Sequence, residues 1–484
     1  ADVQDLYVEH VALDGMSYQT PQGWRPFHAH DEWIRVAPAF PSSLREPYRP
    51  IRWQVRSTDH GPLLSDALGS TENDALALRW TALDPDDTSF GSFLAIDRAS
   101  NLDEFRAATG KLVAPALTFV YADTQGHVAM LAAGRIPVRG KGDGMLPMPG
   151  WDTAFDWRGH IAPDELPAVV DPPSGYVVSA NQRFFDASYP HAISTSWQPD
   201  YRARRIASML DAMIASGHRI GPDDFAGMQR GVVDPQAAEL LPLLNRQKGR
   251  NGKEREAIDR LRTWDGRMAF DSVGASIYYT WSRHFMRRLV EAPLKVDMVD
   301  GERLDTLRAQ ADTFEPDFLR RVANGELRSW CGEGVGACDR VALDALDDAP
   351  REGGGLRGGL SGWRWGALTQ VLLPHASFTP SPFLSALFDP LAAPDGGSYS
   401  VNVSVDSFSE ERGYVKVLGP PYRQTVPLAD PGAPRYVLDA GQSGNVLDRH
   451  YADMRRGYAK GDYVDGDEAR TQVLRLVPAK EAAR

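Results

Sequence analysis

Two aspartates three residues apart stand at the start of the chain. Asp2 and Asp5, in Asp2-Val3-Gln4-Asp5-Leu6-Tyr7, put two hard oxygen ligands where they could share one hard cation. Near the other end, Gly441-Gln442-Ser443-Gly444 sets a serine between glycines, with His450 and Asp453 close behind. A nucleophile elbow needs a glycine two places after its serine, and Asn445 stands there, so the segment reads as a glycine turn. Triad partners also converge from distant parts of a fold rather than from one short stretch. The two cysteines, Cys331 and Cys338, are separated by seven positions with three glycines between them, a spacing that closes a small disulfide loop. Two free thiols in a reducing compartment are the other reading. No second cysteine pair or spaced histidines lie near to make a zinc site. A Walker loop, a dinucleotide-binding glycine pattern and a His-Glu-x-x-His helix are all absent from the sequence. Residue by residue, these features assign no reaction.

The elements that must position such groups follow from periodicity. Residues 5–11 and 52–58 carry β-branched and aromatic residues between turn formers and are predicted strands. Residues 119–122 and 127–131 flank Asp123-Thr124-Gln125-Gly126 as a hairpin. Residues 134–175, rich in Gly and Pro, are expected to form a long irregular connection, and 175–180 a short strand that ends at Asn181. After Pro199-Asp200, the apolar residues Ile206, Met209, Leu210, Met213 and Ile214 recur at helical spacing. Helices are also predicted over 254–263, 279–291, 304–324 and 339–348, so that roughly 200–350 is a helical region within one larger body. The C-terminal part returns to strand and turn, closing with a strand at 471–477. Strands, then helices, then strands, with little βαβ alternation, predict an α+β protein.

Bulk properties exclude several classes of function. The 484 residues, 42% hydrophobic and 24% charged, have the balance of a soluble globular chain with a sizeable core. A net charge of −12 argues against a nucleic-acid or anionic-membrane partner. The longest apolar stretch, near 112–122, is too short to cross a bilayer and is interrupted by Pro115. The first residue is Ala1 rather than Met, which is expected of a processing point or a truncation.

A set of unusual strings, in order, is more telling than any single motif. They are Asp2-Val3-Gln4-Asp5-Leu6-Tyr7, Asp59-His60-Gly61-Pro62, Ser179-Ala180-Asn181-Gln182-Arg183 and Tyr189-Pro190. Tyr201-Arg202-Ala203-Arg204-Arg205-Ile206, Trp264-Asp265-Gly266 and Trp363-Arg364-Trp365-Gly366 follow, and His450-Tyr451-Ala452-Asp453 comes near the end. On these strings the chain resembles the β-subunit of penicillin acylases and acyl-homoserine-lactone acylases, in the N-terminal-nucleophile hydrolase group. The resemblance implies a four-layer αββα sandwich with a helical insertion. It implies hydrolysis of the amide of an N-acylated substrate, either a β-lactam side chain or an N-acyl-homoserine lactone, through an acyl-enzyme. In that group a Ser at the start of the β-chain attacks, and its own α-amine, with a pKa near ~8, serves as general base.

By the same resemblance Asn181 matches an oxyanion-hole asparagine, and Arg202 an arginine associated with autoprocessing and active-site orientation. Asp2 and Asp5 match aspartates that ligate a structural calcium in some members. No cofactor is required for the chemistry. Where the family has a further carboxylate just after Tyr189-Pro190, this chain has His191, Ala192, Ile193 and Ser194. The Asp-Val-x-Asp string lies well after the nucleophile in the family but at the very start here. The nucleophile is therefore expected upstream, in a β segment that partners this chain together with an α-subunit cut from the same precursor. Export to the periplasm or the medium is implied, and the bonded form of the cysteines fits it. The alternative function is a non-catalytic periplasmic ligand-binding protein on the same scaffold.

Overall fold

Charge faces inward on the first strand. In β1 (Gln4–His10) the side chains alternate across the sheet, and the buried set is Asp5, Tyr7 and Glu9, with Leu6 and Val8 only partly covered. The computed structural model describes residues 1–38, 45–69, 74–291, 317–352, 360–375, 378–379, 381–389, 391–392, 395–409 and 413–466. The chain divides into two compact units, Ala1–Asp200 and Tyr201–Arg484.

The first unit continues with β2 (His28–Ile34), β3 (Ile51–Thr58), β4 (Asp74–Trp80), β5 (Leu117–Ala122), β6 (Val128–Ala133), β7 (Pro137–Arg139), β8 (Met148–Pro149), β9 (Trp157–His160) and β10 (Ala168–Val170). Strand β1 pairs antiparallel with β4, Tyr7 opposite Ala77, and in parallel with β8, Tyr7 opposite Met148. The hairpin β5–β6 forms as expected. Asp123 Oδ1 accepts from the backbone N–H groups of Gln125 (2.9 Å) and His127 (3.0 Å) and closes the turn. Two expectations are corrected. Residues 134–175 are not merely irregular, because four short strands, β7 to β10, lie within them; Gly and Pro keep the strands short without preventing edge pairing. Residues 175–180 form no strand: their Tyr-Val-Val stretch has strand propensity but finds no ladder partner among the described residues.

The second unit opens with four principal helices, α1 (Tyr201–Ala215), α2 (Gly252–Thr263), α3 (Val273–Glu291) and α4 (Ala337–Glu352). Asn251 caps α2 by accepting from the Glu254 N–H at 3.0 Å. Helix α3 starts six residues before its predicted first turn. Residues Gly274 to Tyr278 are buried on every side, so that turn carries no amphipathic period, and Ser272 Oγ accepts from Ala275 N–H at its start. Helix α3 is the centre of the core. Trp281, Phe285 and Leu289 are fully buried, Trp281 stacks on Phe285, and the Trp281 indole donates to the Ala342 carbonyl of α4 at 2.9 Å. Of the predicted helix 304–324, residues 304–316 lie outside the described residues and Phe318–Ala323 is helical, and the predicted strand 471–477 lies outside them. Strands β11 (Thr369–Leu372), β12 (Val405–Ser409) and β13 (Gly413–Leu418) form a mixed sheet, and β14 (Tyr422–Thr425) pairs with β15 (Arg435–Leu438). Cys331 and Cys338 are disulfide-bonded, with Cα atoms 4.9 Å apart. Closing so short a loop contributes roughly 2–3 kcal/mol in the chain-entropy account.

Candidate active site and its supports

Asn181 sits in a segment with no ladder to hold it, and its own neighbour braces it. The Gln182 side chain accepts from Ala180 N–H at 2.7 Å and donates to the Val178 carbonyl at 2.8 Å, while Gln198 N–H donates to the Asn181 carbonyl at 3.2 Å. Ala180 is buried and Asn181 is exposed. The Asn181 backbone is left-handed (φ 68°), one of two non-glycine residues with positive φ among those described. That conformation costs an L-residue about 1–2 kcal/mol and is tolerated best by Asn and Asp. A residue held there by its surroundings turns its side chain out of the local run, and such outliers cluster at ligand clamps and active sites. An asparagine amide so placed can donate to an anionic oxygen.

Arg202 lies in the first turn of α1, half-buried between buried Tyr201 and Ala203. Burial lowers its pKa below the ordinary guanidinium value. The Tyr201 hydroxyl donates to Glu239 Oε2 at 2.8 Å and Arg204 donates to Glu239 Oε1 at 2.9 Å, which fixes this turn against the adjoining helix. Of the predicted apolar stripe on α1, Leu210 is buried and Ile214 is half exposed.

Asp2 and Asp5 both face one guanidinium. Arg139 donates to Asp5 through Nε (2.9 Å to Oδ2) and Nη2 (2.9 Å to Oδ1), and the Trp157 indole donates to Asp5 Oδ2 at 2.5 Å. Asp2 Oδ2 lies 3.4 Å from Arg139 Nη2. Gly144 closes the space, since a Cβ there would stand 2.7 Å from Asp5 Oδ1 and 2.9 Å from Arg139 Nε. Among the described residues no group of three or more His, Cys, Asp or Glu side chains could hold a metal ion. Arg139 supplies positive charge beside both carboxylates. Sequence reasoning missed Arg139 because it falls in the Gly- and Pro-rich connection, 134 residues from its partner.

A second buried pair is anchored on the same strand, at Glu9. His60 Nδ1 is 2.7 Å from Glu9 Oε1, His60 Nε2 is 3.1 Å from Asp156 Oδ1, and the Tyr7 ring stacks on the imidazole at 3.9 Å. Thr58 Oγ1 donates to Glu9 Oε1 at 2.8 Å. Only a glycine fits at position 150, where a Cβ would meet Glu9 Oε2 at 2.2 Å. Burial pushes the His60 pKa down, but hydrogen bonds to Glu9 and Asp156 and their charges outweigh it, so it sits above the ordinary imidazole value. A folded-state pKa raised in this way gives stability that is fully present below the unfolded value, near ~6.5, and is lost as pH rises through the folded value. The urea midpoint of the chain should accordingly fall as pH climbs above neutrality. His60→Asn should flatten that slope, and an unchanged slope would show that His60 is not its source.

At the other end, His450 Nδ1 and Asp453 Oδ2 are 2.7 Å apart, but Ser443 Oγ accepts from Asn445 N–H (3.1 Å) and bonds no imidazole among the described residues. The segment is a turn, as its glycine spacing suggests.

With this geometry in place, the comparisons with known proteins fall in line. The penicillin amidase family model matches residues 1–473, and the chain belongs to that family. Penicillin acylase 2 proenzyme of Pseudomonas sp. (strain SE83) is 28% identical over 464 residues, covering 94% of this chain and 56% of that protein. Acyl-homoserine lactone acylase QuiP of Pseudomonas fluorescens (strain Pf-5) is 33% identical over 295 residues, 57% of this chain and 34% of that protein. The chain thus spans about half, or less, of the length of these curated relatives. Among solved structures, the thermostable penicillin G acylase from Alcaligenes faecalis superposes with a TM-score of 0.68 at 17% identity, covering 99% of this chain and 87% of that one, and so shares its fold.

Proposed function

We propose that this chain is part of an enzyme that hydrolyses the amide of an N-acylated small molecule, a β-lactam side chain or an N-acyl-homoserine lactone, through an acyl-enzyme. The names of its relatives, penicillin acylase and acyl-homoserine lactone acylase, support that substrate class. The attacking hydroxyl and the α-amine that activates it come from a segment outside these 484 residues. Asn181 donates to the oxyanion of the tetrahedral intermediate, and Arg202 takes the role the family gives to an arginine of autoprocessing and active-site orientation. The observation that carries this reading is Asn181 itself, exposed and held left-handed at the end of a braced loop. The finer architecture is a four-layer αββα sandwich completed by strands of the upstream β segment and an α-subunit. The paired strands β2 and β3 support that assembly. Every residue of β2 is exposed, and Ile34, Ile51 and Trp53, which share one face of the pair, are 46%, 49% and 39% exposed, an apolar surface that suits a further chain. No helix among the described residues is long and apolar enough to cross a membrane, and the disulfide supports residence in the periplasm or outside the cell. No step requires a metal ion.

Mass spectrometry of the complete enzyme, acid-quenched during turnover of an acyl amide, tests this assignment. The acyl mass should appear on the segment preceding Ala1 and on none of the 484 residues. An acyl group on Ser443, or anywhere else in this chain, would overturn it.

A further inference from the structure

A cavity of about 690 Å³ opens within the second unit, at the ends of β13 and β14 and beside α1. That volume lies within the range of small-molecule sites. Its charge sets it apart, for Arg205, Arg230, Arg267, Lys416, Arg423 and Lys460 all line it, against only two carboxylates, Asp395 and Asp439, in a protein whose net charge is −12. Among the described residues these cations are barely neutralised by ion pairs. Only Arg267 has a carboxylate within 4 Å, that of Asp265 at 3.9 Å.

The deepest two cations are built into the fold. Arg423 is 6% exposed; Nη1 donates to the Tyr458 carbonyl at 3.0 Å, Nη2 donates to Asn402 Oδ1 at 2.9 Å, and the Tyr458 ring lies 3.8 Å below the guanidinium. Its Nε–H is buried and has no hydrogen-bond partner among the described residues. Lys416 is 3% exposed and donates to the Gly396 carbonyl at 3.1 Å, its ammonium 5.1 Å from the centre of the Trp365 ring. Lys416 lies opposite Asp406 on the paired strand β12, a carboxylate with buried oxygens whose charge favours the ammonium, whereas Arg423 has no carboxylate within 4 Å among the described residues, and burying a guanidinium without a facing anion is unfavourable. Carbonyl and ring contacts offset part of that cost, and an anion in the cavity would offset more. Low-dielectric walls lined by one sign of charge also concentrate ions of the other. The apolar remainder of the lining, with Val233, Val371 and Leu373, suits a carbon framework.

We infer that this cavity binds a small organic oxyanion, its phosphate or carboxylate oxygens taken by Arg423, Lys416 and the arginines at the rim. Arginine forks match both kinds of oxyanion, so the site is defined by that shared chemistry. The inference stands apart from the proposed amide hydrolysis, because it uses neither Asn181 nor a nucleophile.

Calorimetric titration of the 484-residue chain with inorganic pyrophosphate and, separately, with citrate tests it and distinguishes a phosphate from a carboxylate preference. Saturable one-to-one binding of at least one probe is expected. Arg230→Gln combined with Arg267→Gln, both at exposed positions where folding should survive, should weaken it roughly tenfold or more. Arg423→Met should abolish it, with circular dichroism to confirm the fold. Arg98→Gln with Arg106→Gln, an equal loss of charge on the other unit, should leave it unchanged. No saturable binding of either probe at millimolar concentration, or binding indifferent to the Arg230 and Arg267 changes, would overturn the inference.

Discussion

Replacing Asn181 by alanine in the assembled enzyme should lower kcat by about 10²–10³ and leave KM nearly unchanged, a loss of roughly 2.7–4 kcal/mol of transition-state stabilisation. The asymmetry follows from where charge develops. A carbonyl oxygen in the bound substrate gains little from one amide donor, whereas the oxyanion of the tetrahedral intermediate gains much. Alanine at φ 68° also strains the backbone, so a loss in Asn181→Ala alone would be ambiguous. Asn181→Gly removes the amide and accepts the left-handed conformation without strain. Both variants should lose the same factor in kcat. If glycine restores turnover, the residue positions the loop and does not touch the oxyanion. Steady-state kinetics on a chromogenic acyl amide separate the outcomes.

Arg139→Ala should destabilise the first unit by about 3–5 kcal/mol, because it strips a buried carboxylate of its counter-charge. The Asp5 side chain is fully buried and that of Arg139 is 6% exposed, so water cannot replace the lost partner. Only the Trp157 indole would remain on Asp5. Removing both charges, as Asp5→Asn with Arg139→Met, should recover much of the loss, since two neutral groups leave no uncompensated ion. Urea unfolding followed by tryptophan fluorescence measures all three. If Arg139→Ala costs less than about 1 kcal/mol, which is the scale of an exposed pair, the buried ion pair is not what organises β1.

How far the sequence could be read depends on the range of the interactions. The hairpin at Asp123–Gly126 and the disulfide at Cys331 and Cys338 are made by residues close in the chain, and their spacing announces them. Strand β1 was legible as a strand, but not which face it buries. Leu6 and Val8 suggest one face, while the structure buries Asp5, Tyr7 and Glu9, because their partners Arg139 and His60 come from far along the chain. The same distance hid Arg139, which faces both Asp2 and Asp5. Residues 175–180 misled in the opposite direction, since strand propensity is realised only beside a free sheet edge. Asn181 and Arg202 carried no local signal of chemistry and were picked out by resemblance alone. The left-handed backbone and the Gln182 brace are visible only in three dimensions. The cavity cations, scattered from 205 to 460, have no sequence signature at all.

The central claim is that this chain brings the oxyanion donor but not the nucleophile, and one paired assay tests it. The purified 484-residue chain is incubated with chromogenic penicillin-side-chain and long-chain acyl amides, beside the same chain co-expressed with the preceding part of its gene. The chain alone should show no more than the modest acceleration that binding and an oxyanion donor can supply, and the assembled protein should turn over at enzyme-like rates. Enzyme-like turnover by the isolated chain would contradict the account and place the nucleophile within it.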